Sequence, residues 1–200
     1  MKAEIKNFLD KLNSDLNPIK EQAIKYCDID SAVREDSVIQ IFKRPWVAPE
    51  NFGLLLYPPV DKNWLVEFEK RTSKVIPKIY ENILLQMNGC FVYDFSLFGL
   101  TKSMHTKGLL DRKVLQQFDL TIANTSWIRE YDIDQNLLHI GNRAYSYSEN
   151  IGYFVEKETI LSIKTTGEVV NSFATVKEFF ETEIDAVEQM MIEERGESRN

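Results

Sequence analysis

Two histidines, His105 and His139, and two cysteines, Cys27 and Cys90, are the whole supply of imidazole and thiol in a chain of 200 residues. A zinc site needs such ligands in closely spaced pairs, and a nucleophilic site needs a thiol or hydroxyl beside a base. His105 and His139 stand 34 positions apart, and neither cysteine has a neighbour at metal spacing. Glycine-rich phosphate loops, the dinucleotide fingerprint, paired-histidine zinc motifs and the nucleophile elbow are all missing from the sequence. His139 alternates with Leu138 and Ile140 in a strand-like run, which predicts a structural imidazole, solvent-facing or hydrogen-bonded. His105 lies in the polar stretch Thr101 to Lys107 and reads as a loop residue. Asp132 and Asp134 are close enough to share a divalent cation, but the surrounding Tyr131 to Asn136 lacks the glycine and distal glutamate of a calcium loop. A solvated turn is the expectation there. No catalytic residue, metal ligand or cofactor is expected, and the protein reads as a binder rather than an enzyme.

The charge balance narrows what it could bind. The net charge is -7, and it is uneven: residues 1–177 carry 23 acidic and 22 basic side chains, whereas residues 178–200 carry eight acidic and two basic. Neutralising phosphates requires a basic stripe, so direct binding of nucleic acid is not expected. A basic protein partner suits this balance better. No stretch reaches the roughly 18 uncharged apolar residues of a membrane helix, and charges at Lys2, Glu4 and Lys6 interrupt any secretory signal. Two cysteines that fit no metal spacing and supply at most one bridge lean toward a reducing compartment, and the expected location is cytoplasmic.

The elements that would position these residues follow from apolar spacing. Ile5, Phe8, Leu9, Leu12 and Leu16 recur at helical steps, predicting an opening helix that stops before Pro18, with a second short helix to about Cys27. Residues 28–60 read as a loop-rich collar, with Val38 to Phe42 a strand candidate and Arg44-Pro45-Trp46 and Tyr57-Pro58-Pro59 as turns. Asp61 is placed to cap a helix carrying Trp64, Leu65 and Phe68, and Pro77 to open one carrying Ile79, Tyr80, Ile83, Leu84 and Met87. Asn88-Gly89 is expected to end that helix with a left-handed glycine. Strand-like runs follow at Cys90 to Tyr93 and Phe95 to Phe98, with a bend at Gly99. A short helix is expected from Asp119 to Tyr131. Antiparallel strands are expected at 137–140, 144–147, 151–155, 159–163 and 168–170. Thr175 and Glu178 form a capping box for a last helix whose stripe is Val176, Phe179, Phe180, Ile184, Val187 and Met191. Helices flanking an antiparallel sheet make an α+β domain. Its expected division is a helical and loop-rich extension over 1–60, a core over 61–192 and a polar tail over 193–200.

The central segment carries a resemblance. Leu65-Val66-Glu67-Phe68-Glu69, then Val75-Ile76-Pro77-Lys78-Ile79-Tyr80, then Met87-Asn88-Gly89, resembles the signature of the SUKH superfamily, which includes the Smi/Knr-type cell-wall assembly regulators. Phe98-Gly99-Leu100, Trp127, Leu138-His139-Ile140-Gly141, Gly167-Glu168-Val169-Val170 and Ser172-Phe173 keep the family's order, over about 120 residues from 61 to 182. The resemblance implies a curved, mainly antiparallel sheet packed with N-terminal, central and C-terminal helices. Within it, Pro77, Tyr80, Asn88, Gly89, Gly99, Trp127 and Gly141 would be mainly structural. It also implies a bacterial immunity protein that binds and neutralises a cognate toxin, often a nuclease, of a polymorphic or contact-dependent toxin system. A regulatory scaffold that binds several cell-wall or signalling proteins is the alternative. Asp132 and Asp134 are the acidic pair expected to face the basic partner.

Overall fold

The computed structural model describes residues 1–49, 51–101, 119–145 and 149–195. Among these, nine strands form one open sheet in which every neighbouring pair is antiparallel and spatial order equals chain order. The strands are β1 (Ala32–Val33), β2 (Ile39–Lys43), β3 (Phe52–Leu56), β4 (Cys90–Val92), β5 (Phe95–Leu97), β6 (Leu138–Tyr145), β7 (Glu149–Glu156), β8 (Thr159–Lys164) and β9 (Val169–Phe173). Six α-helices flank them: α1 (Ala3–Leu9), α2 (Asn17–Tyr26), α3 (Lys62–Thr72), α4 (Lys78–Leu84), α5 (Leu120–Thr125) and α6 (Val176–Glu194). The fold is α+β, as the spacing predicts. No helix among the described residues is long and apolar enough to cross a membrane.

Period-two alternation builds the layers. Along β7, Ile151, Tyr153 and Val155 join the main core with the helices, while Phe154 points to the other face and packs with Ile128, Tyr131 and Ile163. The stripe of α6 is buried as expected: Val176, Phe179, Phe180, Ile184, Val187 and Met191 are all inside. The two expected caps, Asp61 and Thr175, are present, and Asp119 supplies a third. Asp61 accepts from the Asn63 N–H at 2.8 Å, Asp119 from Thr121 and Ile122, and Thr175 from Glu178 at 3.2 Å.

Four expectations need correction. The opening helix stops at Leu9, and Leu16 belongs to a separate 3₁₀ turn, Ser14–Leu16. The Asn13 side chain accepts the Asp15 N–H there and closes a turn that competes with the helix. Residues 28–60 are less loop-rich than expected, since they supply β1, β2 and β3, and β3 pairs directly with β4. Arg44-Pro45-Trp46 is the connection between β2 and β3. It is closed by the Arg44 N–H to the Asn51 carbonyl at 2.8 Å and by Arg44 Nε to Asn51 Oδ1 at 3.0 Å. Pro77 is the N-cap of α4 rather than its first helical residue, and the helix ends at Leu84, before Asn88-Gly89. The chain leaves the helix because the Asn88 N–H turns to the Tyr57 carbonyl at 3.2 Å. The strands expected at 137–140 and 144–147 are one strand, β6, running through Gly141, with residues 146 and 147 outside the described residues.

Candidate functional site

The motif residues converge on one buried junction between α4 and the strands β4, β5 and β6. Tyr80 is fully buried on α4, and its hydroxyl donates to the Phe98 carbonyl and lies 3.2 Å from the Ile140 carbonyl, tying helix to sheet. Asn88 reads the Leu100 backbone twice, with Nδ2 donating to its carbonyl at 2.8 Å and Oδ1 accepting its N–H at 2.7 Å. Gly89 has φ +80, and a Cβ there would stand 2.5 Å from the Leu97 carbonyl oxygen. Gly141 lets β6 run close under the Ser96 carbonyl. Gly99 accepts the Leu120 N–H at 2.8 Å and bridges to Asp119, which starts α5. Trp127, in the 3₁₀ turn Trp127–Glu130 where the expected helix breaks, meets Phe98 edge-on at 5.6 Å. Pro77 caps the helix, its carbonyl accepting the Tyr80 and Glu81 N–H groups. Tyr80, Asn88, Gly89, Gly99 and Gly141 are therefore framework residues, all of them buried.

Cys90 and His139 are held away from solvent. Cys90 is buried, and burial pushes its thiol well above the ordinary range, so a nucleophilic thiolate is disfavoured. His139 is 2% exposed, stacks on Phe154 at 4.5 Å and places Nε2 3.0 Å from the Gly141 carbonyl. Burial drives its pKa down to about 4. The strand pattern anticipates the hydrogen-bonded role, while the solvent-facing alternative is ruled out by the rings of Phe98, Tyr131 and Phe154 around the imidazole. Lys74, which no spacing marks, donates to the Leu137 carbonyl at 2.7 Å and to Asn124 Oδ1 at 3.3 Å. Burial lowers its pKa to about 8, against the opposing charge of Asp134. No group of three or more His, Cys, Asp or Glu side chains able to hold a metal occurs among the described residues. His105 lies outside them.

His139 makes stability depend on pH. Its folded pKa of about 4 lies below the free value of 6.5, so the unfolded chain takes up the proton first as pH falls. The contribution is complete above pH 6.5 and is lost progressively down to pH 4, amounting to about 3 kcal/mol. Glu183 has its pKa raised by burial and acts in the opposite sense as pH falls. Urea titrations of wild type and His139→Phe at several pH values separate the two. The wild type should lose stability relative to the variant between pH 6.5 and 4, and parallel curves would show that His139 does not titrate differently on folding.

The acidic side chains divide into two sets. Glu183 and Glu188, on the C-terminal segment that holds the excess of acid, are 1% and 4% exposed. Glu183 on α6 receives Arg143 of β6 at 2.7 Å and the Tyr153 hydroxyl of β7 at 2.5 Å. Glu188 receives Gln22, Lys25 and Tyr26 of α2. Both lock α6 down. Asp132 and Asp134, by contrast, are exposed on the loop after the Trp127–Glu130 turn. The Asp132 N–H donates to the Thr165 carbonyl at 3.0 Å, and the Asp132 carbonyl packs against Gly167, whose φ is +83. This seats the loop on the β8–β9 turn beside Glu168, which Lys164 meets at 3.0 Å. Asp134 Oδ1 accepts the Asn136 N–H at 2.9 Å, so this carboxylate stands on a tight turn of its own making. A different surface lies where β2 leads into its connection to β3. Trp46 and Val47 are each 44% exposed there, and Arg195 at the end of α6 lies 4.9 Å from the Trp46 ring and 5.6 Å from the Phe42 ring.

No known protein-family model matches this chain, and no curated protein is significantly similar to it.

Proposed function

We propose that this protein is a non-catalytic protein-binding domain that neutralises a cognate toxin of a polymorphic or contact-dependent system, acting in the cytoplasm. The observation that carries the reading is the separation of framework from surface. Tyr80, Asn88, Gly89, Gly99 and Gly141 of the SUKH-like signature are spent on the buried junction, and exposed carboxylates are left on the surface of a protein of net charge -7. A toxin that attacks nucleic acid needs a basic substrate cleft, and an acidic blocker gains steering and charge complementarity against it. The loop bearing Asp132 and Asp134 is one element available for that contact.

The exposed Trp46 and Val47, beside Arg195, favour a second reading: a regulatory scaffold of the cell-wall assembly type, holding several partners through a mixed apolar surface. Capture from the native cell with identification of the bound chains separates the two. The first reading expects one dominant basic chain, whose association slows several-fold between about 50 and 500 mM salt while dissociation changes less. Several chains bound weakly, with association indifferent to salt, would favour the scaffold.

A further inference from the structure

A cleft of about 250 Å³ opens where the Ser14–Leu16 turn, α4, the β7–β8 turn and the start of α6 meet. Its floor is apolar, since Leu16, Ile79, Ile83 and Val176 each lie at or below 9% exposure. Its wall is held in place by Gln86, whose Oε1 accepts the Asn13 N–H at 2.7 Å and whose Nε2 donates to the Asn82 carbonyl at 2.9 Å. Two carboxylates, Asp15 and Glu158, stand in the lining, and no Lys or Arg does. Glu158 uses Oε2 to accept the Ile79 N–H at 3.0 Å, while the Asp15 carboxylate has no hydrogen-bond or ion-pair partner among the described residues. The flanking cations Lys78 and Lys177 are engaged elsewhere, with Glu81 at 3.1 Å and Glu181 at 3.6 Å.

This combination selects its occupant. A volume below the roughly 300–1,000 Å³ of small-molecule sites suits one long side chain better than a cofactor. An apolar floor with carboxylates in the wall matches a side chain that is apolar along its stem and cationic at its head. We propose that the cleft receives an arginine side chain from a basic protein partner, its stem on Ile79 and Ile83 and its guanidinium at Asp15 and Glu158. Arginine fits better than lysine because its planar fork carries five donors and sheds water more readily, so one head can serve two carboxylates. This deepens the reading of the protein as a binder of a basic partner and rests on it.

The direct test uses the full chain and a blocked Gly-Arg-Gly peptide, followed by amide-resolved NMR, with a citrulline peptide as the neutral control and a Gly-Lys-Gly peptide as the second cation. The arginine peptide should shift the Ile79, Asn82 and Gln86 signals saturably, the lysine peptide more weakly and the citrulline peptide not at all. Asp15→Asn, at an exposed position with no side-chain bond to lose, should weaken arginine binding about tenfold. Equal shifts from citrulline, tighter binding of lysine, or indifference to Asp15→Asn would overturn the assignment. Arginine binding without any toxin neutralisation would leave the cleft and remove the functional reading. Neutralisation with affinity unchanged in Asp15→Lys, and no shift from the peptide, would do the reverse.

Discussion

Gly89→Val should lower the free energy of unfolding by about 2–5 kcal/mol, whereas Pro77→Ala should cost less than about 1 kcal/mol. Two effects add at Gly89. Its φ of +80 is a conformation in which a residue with Cβ loses roughly 1–2 kcal/mol. The new Cβ would also stand 2.5 Å from the Leu97 carbonyl oxygen and 3.0 Å from the Gly99 nitrogen. Those are backbone atoms of the same junction, so no side chain can swing aside, and overpacking of this kind costs roughly 1–3 kcal/mol more. Pro77 has helical φ at an N-cap where a bonded N–H is not required, so alanine loses only the rigidity of the ring. Urea midpoints of the two variants check the contrast, with Gly89→Ala as the milder probe should the valine variant fail to fold. A Gly89→Val midpoint equal to that of wild type would remove the junction from the account.

Arg143→Met should cost about 3–5 kcal/mol at neutral pH, because it strands the Glu183 carboxylate, which is 1% exposed. Glu183 sits on α6, opposite the Arg143 of β6 and the Tyr153 of β7, so the loss should loosen the packing of α6 on the sheet. Burial already raises the Glu183 pKa while Arg143 holds it down, and removing the guanidinium should let the carboxyl protonate. The defect should therefore shrink as pH falls. Replacing both partners, Arg143→Met with Glu183→Leu, should recover most of the lost stability, since no charge remains buried. A single variant within about 1 kcal/mol of wild type, or a double variant worse than the single, would show that the pair does not act as described.

Periodicity made the amphipathic elements legible. The stripe of α6, the α3 cap at Asp61 and the strand candidates from 151 to 170 appear close to where the spacing puts them, and α6 is the clearest because it buries one face and exposes the other. Phe52-Gly53-Leu54-Leu55-Leu56 was opaque for the opposite reason. This β3 run is buried on every residue, so it carries no alternation, and only its length and the flanking turns distinguish it from a helix segment. The end of α4 misleads because Gly89 does adopt the left-handed conformation that Asn88-Gly89 suggests, but does so at the entrance to β4, where the Asn88 side chain reaches Leu100. The ionic ties of Glu183 and Glu188 join residues 40 and 163 positions apart, Arg143 to Glu183 and Lys25 to Glu188, and long-range pairing of that sort leaves no local trace. The exposure of Asp132 and Asp134 was readable from their turn composition, whereas the cleft at Asp15 and Glu158 required the fold that joins them.

Neutralisation of a toxin by occupying it is the proposed function. Co-expression with a candidate toxin domain, followed by sizing of the lysate, addresses this most directly. The account predicts surviving cells and a stoichiometric complex that persists when His139 and Cys90 are replaced in folded variants. Dying cells at equal expression, with no complex on sizing, would contradict it.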